Sequence, residues 1–150
     1  MKTQLDRARE GEITPEMKEA AVYDDVTPEF IRDGIANGHI VINGNPQRKC
    51  RVIGIGQGLR TKINASIGTS PDIIDFDMEV EKAKMAEKTG ADTLMELSTG
   101  GNLSEVRRRV LDAVNLNVGN VPLYQAAMET IDKKGSVVHM ESDFLFDCIE

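Results

Sequence analysis

A chain of 150 residues, 40% apolar and 29% charged, is long enough to bury a core and has the balance of a soluble globular protein. A formal net charge of −7 argues against a nucleic-acid partner, and no apolar run is long enough to cross a bilayer. With no basic-then-apolar opening of the signal-peptide kind, the expected location is the cytoplasm, with no membrane partner.

The first third reads as small helices. Thr14-Pro15-Glu16-Met17 and Thr27-Pro28-Glu29-Phe30 repeat one helix-start signature: a threonine N-cap, proline at the first helical position and glutamate near the positive end of the dipole. Gly38 closes the second helix, His39–Ile42 reads as a short strand, and Asn43-Gly44-Asn45-Pro46 as a turn.

The rhythm changes after Arg51. Gly54, Gly56, Gly58 and Gly68 crowd one stretch, as expected where backbone turns sharply or approaches something closely. The pattern then predicts a strand over Lys62–Ile67 and a helix over Asp77–Lys88, with Met78, Ala83, Met85 and Ala86 near one side and Gly90 as its stop. A strand over Asp92–Leu97 follows, then a helix over Leu103–Val114 with Val106, Val110, Leu111 and Val114 at helical spacing. Next come a short strand over Asn120–Leu123 and a helix over Gln125–Lys134, stopped by Gly135. Val137–Met140 reads as an extra strand or extended segment, and Ser142 as the N-cap of a last helix.

Strands alternating with helices of this length mean βαβ units, a parallel sheet and right-handed crossovers. A parallel sheet of so few strands has bare edges, and the sequence stops inside an amphipathic helix, so it reads as the front part of something larger. Parallel α/β folds bind ligands at the carboxyl ends of their strands. Ser66 ends the first such strand, Met95 to Ser98 the second, and Tyr124 follows the third, which suggests one rim of one site. Asn64 shares a face with Ser66. Ser98, Thr99, Gly100 and Gly101 are expected either to offer backbone N–H groups to a phosphate or to make a tight connection. Met95 and Tyr124 are equally readable as core residues.

Arg107-Arg108-Arg109 reads as a solvated helix face. Cys50 and Cys148 stand alone, and His39 and His139 are isolated. No carboxylate pair, Ser-His-Asp set or metal-spaced cluster appears, so no catalytic or metal-ligating residue is assigned.

Several long motifs carry a family resemblance. Gly56-Gln57-Gly58-Leu59 with Lys62-Ile63-Asn64-Ala65-Ser66-Ile67-Gly68-Thr69-Ser70 resembles the signature segment of the phosphomethylpyrimidine synthase (ThiC) family. Gly90–Gly101 and Val118–Ala126 are similar to its second and third signatures, and Arg7–Gly11, Ile13–Met17 and Pro28–Arg32 to its opening. The resemblance implies an α/β chain: an N-terminal helical segment with a short strand over residues 1–50, then over 51–150 the first βα units of a (β/α)8 (TIM-type) barrel, incomplete in this chain.

It further implies rearrangement of aminoimidazole ribotide to hydroxymethylpyrimidine phosphate in thiamine biosynthesis, using S-adenosylmethionine, a [4Fe-4S] cluster and zinc or another divalent metal. The family's early ribotide-binding positions fall on Ser66, Met95 and Tyr124, with Asn64, Ser98 and Thr99 as weaker rim positions. The implied partners are the ribotide and either a second copy of the full-length protein or a complementary C-terminal chain. Ser66 stands where the family usually has Asn, and Glu96 where it usually has Asp. These departures admit the paralogous 5-hydroxybenzimidazole synthases, which act on the same ribotide. The family's cysteine triad and zinc-binding histidines have no counterpart here, so this chain alone is expected to be inactive in radical chemistry. The rival reading is a non-catalytic fragment that binds a phosphorylated small molecule or a partner chain.

Overall fold

The computed structural model describes residues 2–45 and 47–149; the end of the predicted turn, Pro46, lies outside them. The chain divides into two compact units, Met1–Ile63 and Asn64–Glu150.

The first unit holds α1 (Gln4–Arg9), α2 (Pro15–Asp24), α3 (Pro28–Ala36), and β1 (Ile40–Asn43) antiparallel to β2 (Ile53–Gly56). The two threonine caps form as the sequence predicts. Thr14 Oγ1 accepts from the Met17 N–H and Thr27 Oγ1 from the Phe30 N–H, each at 3.2 Å. Ala8, Met17, Ala21, Ile31, Ile35 and Ile40 make the core. β2 is missing from the sequence reading because its glycines resemble turn signals. Gly56 instead pairs with Ile40. Its φ is 153°, and a Cβ there would stand 2.1 Å from the His39 carbonyl oxygen, so glycine permits the close strand approach.

The unit also buries an ion pair. Lys62 Nζ lies 2.6 Å from Asp24 Oδ1, with side-chain exposures of 6% and 0%. The same oxygen accepts from the Arg60 N–H at 3.2 Å, while Asp24 Oδ2 has no hydrogen-bond partner. This contact explains why Lys62 does not open the next strand, as its sequence position suggested.

The second unit contains β3 (Asn64–Ile67), α4 (Phe76–Lys88), β4 (Thr93–Glu96), α5 (Leu103–Ala113), β5 (Asn117–Asn120), α6 (Pro122–Lys134) and α7 (Ser142–Asp147). Its sheet has strand order β3-β4-β5, and both pairings are parallel. Each crossover is a helix, which establishes the α/β class. Among the described residues the sheet is open and does not close into a barrel.

Side-chain alternation divides the sheet faces. Leu94, with Ala65, Ile67 and Val118, packs on Ala83 of α4 and on Val106 and Val110 of α5. The opposite face carries the in-register rows Asn64–Thr93–Asn117 and Ser66–Met95–Gly119. A parallel strand buried on both faces reads as a continuous apolar run. Here only one cross-strand row, Ala65–Leu94–Val118, is apolar throughout.

Beyond β2 and β3, five elements depart from the sequence reading. Ser142 is the first residue of α7, behind Glu141 at the N-cap, and does not itself cap the helix. β5 is Asn117–Asn120 rather than Asn120–Leu123, because Pro122 takes the first position of α6 and forces the strand to end before it. Tyr124 therefore sits in the first turn of α6, not in a loop ahead of it. Val137–His139 is a 3-10 turn, with Ser136 accepting from the Val138 N–H, and not a strand. On α4, Met78 and Met85 are exposed, while Phe76, Glu79, Ala83 and Ala86 form the inward stripe at spacings of three and four.

Candidate functional site at the strand ends

The open face of the sheet has a polar row and a mixed row. In the first, Thr93 Oγ1 donates to Asn64 Oδ1 at 2.8 Å across β3 and β4. In the second, Ser66 is exposed and Met95 half-buried. Met95 lies over Gly119, where a Cβ would stand 2.7 Å from its sulfur. Ser66 and Met95 are thus direct neighbours near the carboxyl ends of their strands. Tyr124, exposed, follows the carboxyl end of β5 by four residues.

Beyond the strand ends, the β3 and β4 loops are tied together. The Leu97 N–H donates to the Ile67 carbonyl at 2.8 Å and the Thr99 N–H to the Thr69 carbonyl at 2.9 Å. Ser98 Oγ accepts from the Thr69 N–H at 3.0 Å, and Thr69 Oγ1 donates to the Gly100 carbonyl at 2.6 Å. Gly68, with φ of 155°, passes so close to Leu97 that a Cβ would stand 2.6 Å from its carbonyl carbon. Its N–H donates to Glu79 Oε2 at 2.8 Å, and Lys82 Nζ meets the other oxygen of that buried carboxylate at 2.6 Å.

Hydrogen bonds engage two of the four amides of the Ser98–Gly101 turn. The Ser98 N–H donates to Glu96 Oε1 at 2.8 Å, and the Thr99 N–H is already spent on Thr69. Neither amide is left for a phosphate. A Cβ at Gly100 would stand 2.3 Å from the Ser70 carbonyl oxygen, so the glycine there serves close packing. Ser98 is buried and acts as a tie between loops.

One inward group escaped the sequence reading. Arg108 and Arg109 pair with Glu105, and Arg109 also with Asp77, as a solvated face should. Arg107 turns to the sheet instead. Its Nε lies 3.7 Å from Oε2 of the buried Glu96, and its Nη2 donates to Gln125 Oε1 at 3.0 Å. The side-chain amide of Asn120 lies beside the same guanidinium, and with its oxygen turned that way it accepts from both Nη2 and Nε at 3.2 Å. The signal was faint: an acid four residues before a Gly-Gly turn, and one arginine of the three lying four residues after Leu103 and three before Val110, both core positions.

In parallel α/β sheets ligands bind beyond the carboxyl ends of the strands, which is where the tied loops of this sheet lie. The sequence matches the model of the radical SAM ThiC family over residues 3–150, and the chain belongs to that family. It is 58% identical over 142 residues to phosphomethylpyrimidine synthase of Methanoculleus marisnigri, a match covering 95% of this chain and 34% of that protein. It is 56% identical over 149 residues to phosphomethylpyrimidine synthase 1 of Methanothermobacter thermautotrophicus, covering 99% and 34%. Identity is also 56% over 150 residues with 5-hydroxybenzimidazole synthase of Geobacter metallireducens, covering 100% and 34%. The chain spans about a third of the length of the curated relatives it matches.

Radical SAM membership implies S-adenosylmethionine and an iron–sulfur cluster. The residues present do not fit a cluster. Its irons need several thiolates, and the chain has Cys50 in one unit and Cys148 in the other. Burial, then the neighbouring charges of Glu129 and Asp147, pushes the Cys148 thiol above its ordinary value and disfavours the ligating form. Among the described residues no group of three His, Cys, Asp or Glu side chains is placed to hold a metal ion. No helix among them is long and apolar enough to cross a membrane.

Proposed function

We propose that this chain is the N-terminal portion of a ThiC-type enzyme of thiamine biosynthesis, supplying the first βα units of a (β/α)8 barrel and part of its ribotide pocket. The observation that carries the reading is the register Ser66–Met95–Gly119, which brings two motif residues together on the uncovered face of a parallel sheet. Met95 offers an apolar, polarisable surface to a flat heterocycle, Ser66 a hydroxyl that both donates and accepts, and Tyr124 a ring with a polar tip. Their work is binding and orientation. No residue here takes a catalytic acid, base or nucleophile role, and the cluster, S-adenosylmethionine and any divalent metal belong to the longer assembly, a homodimer or a pairing with a complementary C-terminal chain. Cytoplasmic residence accords with this reading.

The test is titration of aminoimidazole ribotide into the protein and its Tyr124→Ala variant. Weaker binding by the variant is expected, and equal affinity would remove Tyr124 from the site.

A second reading, 5-hydroxybenzimidazole synthase, is favoured by Ser66 and by Geobacter relatives at 56% and 54% identity. Anaerobic reconstitution of the full-length form with ribotide and S-adenosylmethionine, followed by product mass, separates the two. Hydroxymethylpyrimidine phosphate is expected; hydroxybenzimidazole would overturn the first choice.

A further inference from the structure

We propose that Arg107 is a positioning residue that sets Tyr124 toward the ribotide, an inference that rests on Tyr124 being a substrate contact. Helix α6 leaves β5 after a single residue, Val121, which gives the helix no side-chain cap, and its first turn holds no acidic group. Apart from Pro122 and the Tyr124 N–H bond to the Val121 carbonyl at 2.9 Å, little within α6 fixes its departure from the sheet.

Arg107 supplies what is missing. Its guanidinium donates to Gln125 of α6 at 3.0 Å and lies 3.2 Å from the side-chain amide of Asn120, the last residue of β5, which accepts from it when its oxygen faces inward. Tyr124 lies between these two anchors in sequence. The guanidinium is itself drawn inward by Glu96, whose side chain is 1% exposed and whose other oxygen holds the Ser98 N–H. Gln125 passes the chain on, donating to Glu129 at 3.0 Å. One planar fork therefore references the strand ends β4 and β5 and the start of α6 to each other. A lysine would satisfy the charge of Glu96, but its point charge lacks the fixed fork that spans Asn120 and Gln125 together.

The experiment titrates aminoimidazole ribotide into the full chain, and into a hybrid that continues into the remaining two-thirds of one of its relatives. Arg107→Lys and Gln125→Leu are each expected to weaken binding about tenfold, and the double variant no further than the weaker single, because both cut one link. In ligand-free Arg107→Lys the aromatic NMR resonances of Tyr124 should move while thermal unfolding stays near wild type. Tyr124→Ala is measured alongside. If unsubstituted protein binds no ribotide in either form, or Tyr124→Ala binds as wild type, the pocket reading fails. If Tyr124→Ala weakens binding while Arg107→Lys and Gln125→Leu do not, or if their effects add, the positioning role is overturned.

Discussion

Met95 and Gly119 face each other in register across β4 and β5, and the sulfur of Met95 occupies the space a Cβ at residue 119 would need, 2.7 Å away. The glycine is thus part of how the methionine is aimed. Gly119→Ala should displace the flexible end of Met95, at a cost below the roughly 1–3 kcal/mol of overpacking a closed core. Ribotide affinity should fall with it. In a Met95→Ala background the same alanine should cost almost nothing, and urea unfolding of the four proteins in this cycle measures the coupling. A full penalty persisting without Met95 would show that the glycine answers to the backbone.

The buried Glu79 carboxylate holds the start of the β3 loop through the Gly68 N–H. Replacing it with leucine leaves that amide unpaired beside an apolar side chain. The expected loss is about 1.5–3 kcal/mol, the range for hydrogen bonds to charged groups. Amide exchange at Gly68 should accelerate more than exchange in the middle of α4. Uniform acceleration would mean that the helix itself had loosened.

In the first unit, Lys62→Met removes the cation from an aspartate whose side chain is fully buried. Breaking a buried pair from one side typically costs about 3–5 kcal/mol, because the orphaned charge stays inside. Asp24→Asn in the same protein should restore much of that loss. Chemical denaturation of both variants decides the point, and the double variant unfolding as easily as the single would show that Lys62 serves by its stem.

Cys148 should alkylate slowly. Burial and neighbouring acidic charge raise its thiol pKa, so at pH 8 it holds less thiolate than a free thiol. A group whose folded pKa is raised contributes stability below its unfolded pKa, lost as pH climbs toward the folded value. Iodoacetamide kinetics on a Cys50→Ser variant, against the unfolded chain, should show the folded protein lagging between pH 8 and 9. Equal rates would contradict the shift.

Local chemistry that caps helices was the most legible part of the sequence. Thr14, Thr27 and Gly135 act where the pattern put them, because a cap is decided within a few residues. What failed needed tertiary information. The glycines of β2 resemble a turn until Ile40 is known to lie opposite Gly56. On α4 the methionines attracted the apolar stripe, yet Glu79 points inward because Gly68 needs an acceptor. Arg107 looks like its neighbours until Glu96 is seen beneath it. That Ser66 and Met95 are neighbours was readable because parallel strands place equivalent residues side by side, whereas the fork beyond the strand ends depends on side chains far apart in sequence.

By the family resemblance, Ser66 stands at one of two positions where another residue is usual, here asparagine. Its side chain is exposed on the open face, beside half-buried Met95, so the larger amide fits without displacing core. If the ribotide lies in the family's pose, Ser66→Asn restores a paired donor and acceptor and adds a net hydrogen bond worth about 1 kcal/mol. That corresponds to roughly fivefold tighter binding. Calorimetric titration with aminoimidazole ribotide reads it directly, with Asn64→Ala as the control for the adjacent row. Tighter binding would place the substrate against residue 66 in the pose that asparagine serves. Weaker binding by Ser66→Asn would show a pose shaped around the hydroxyl and shift the balance to the benzimidazole product.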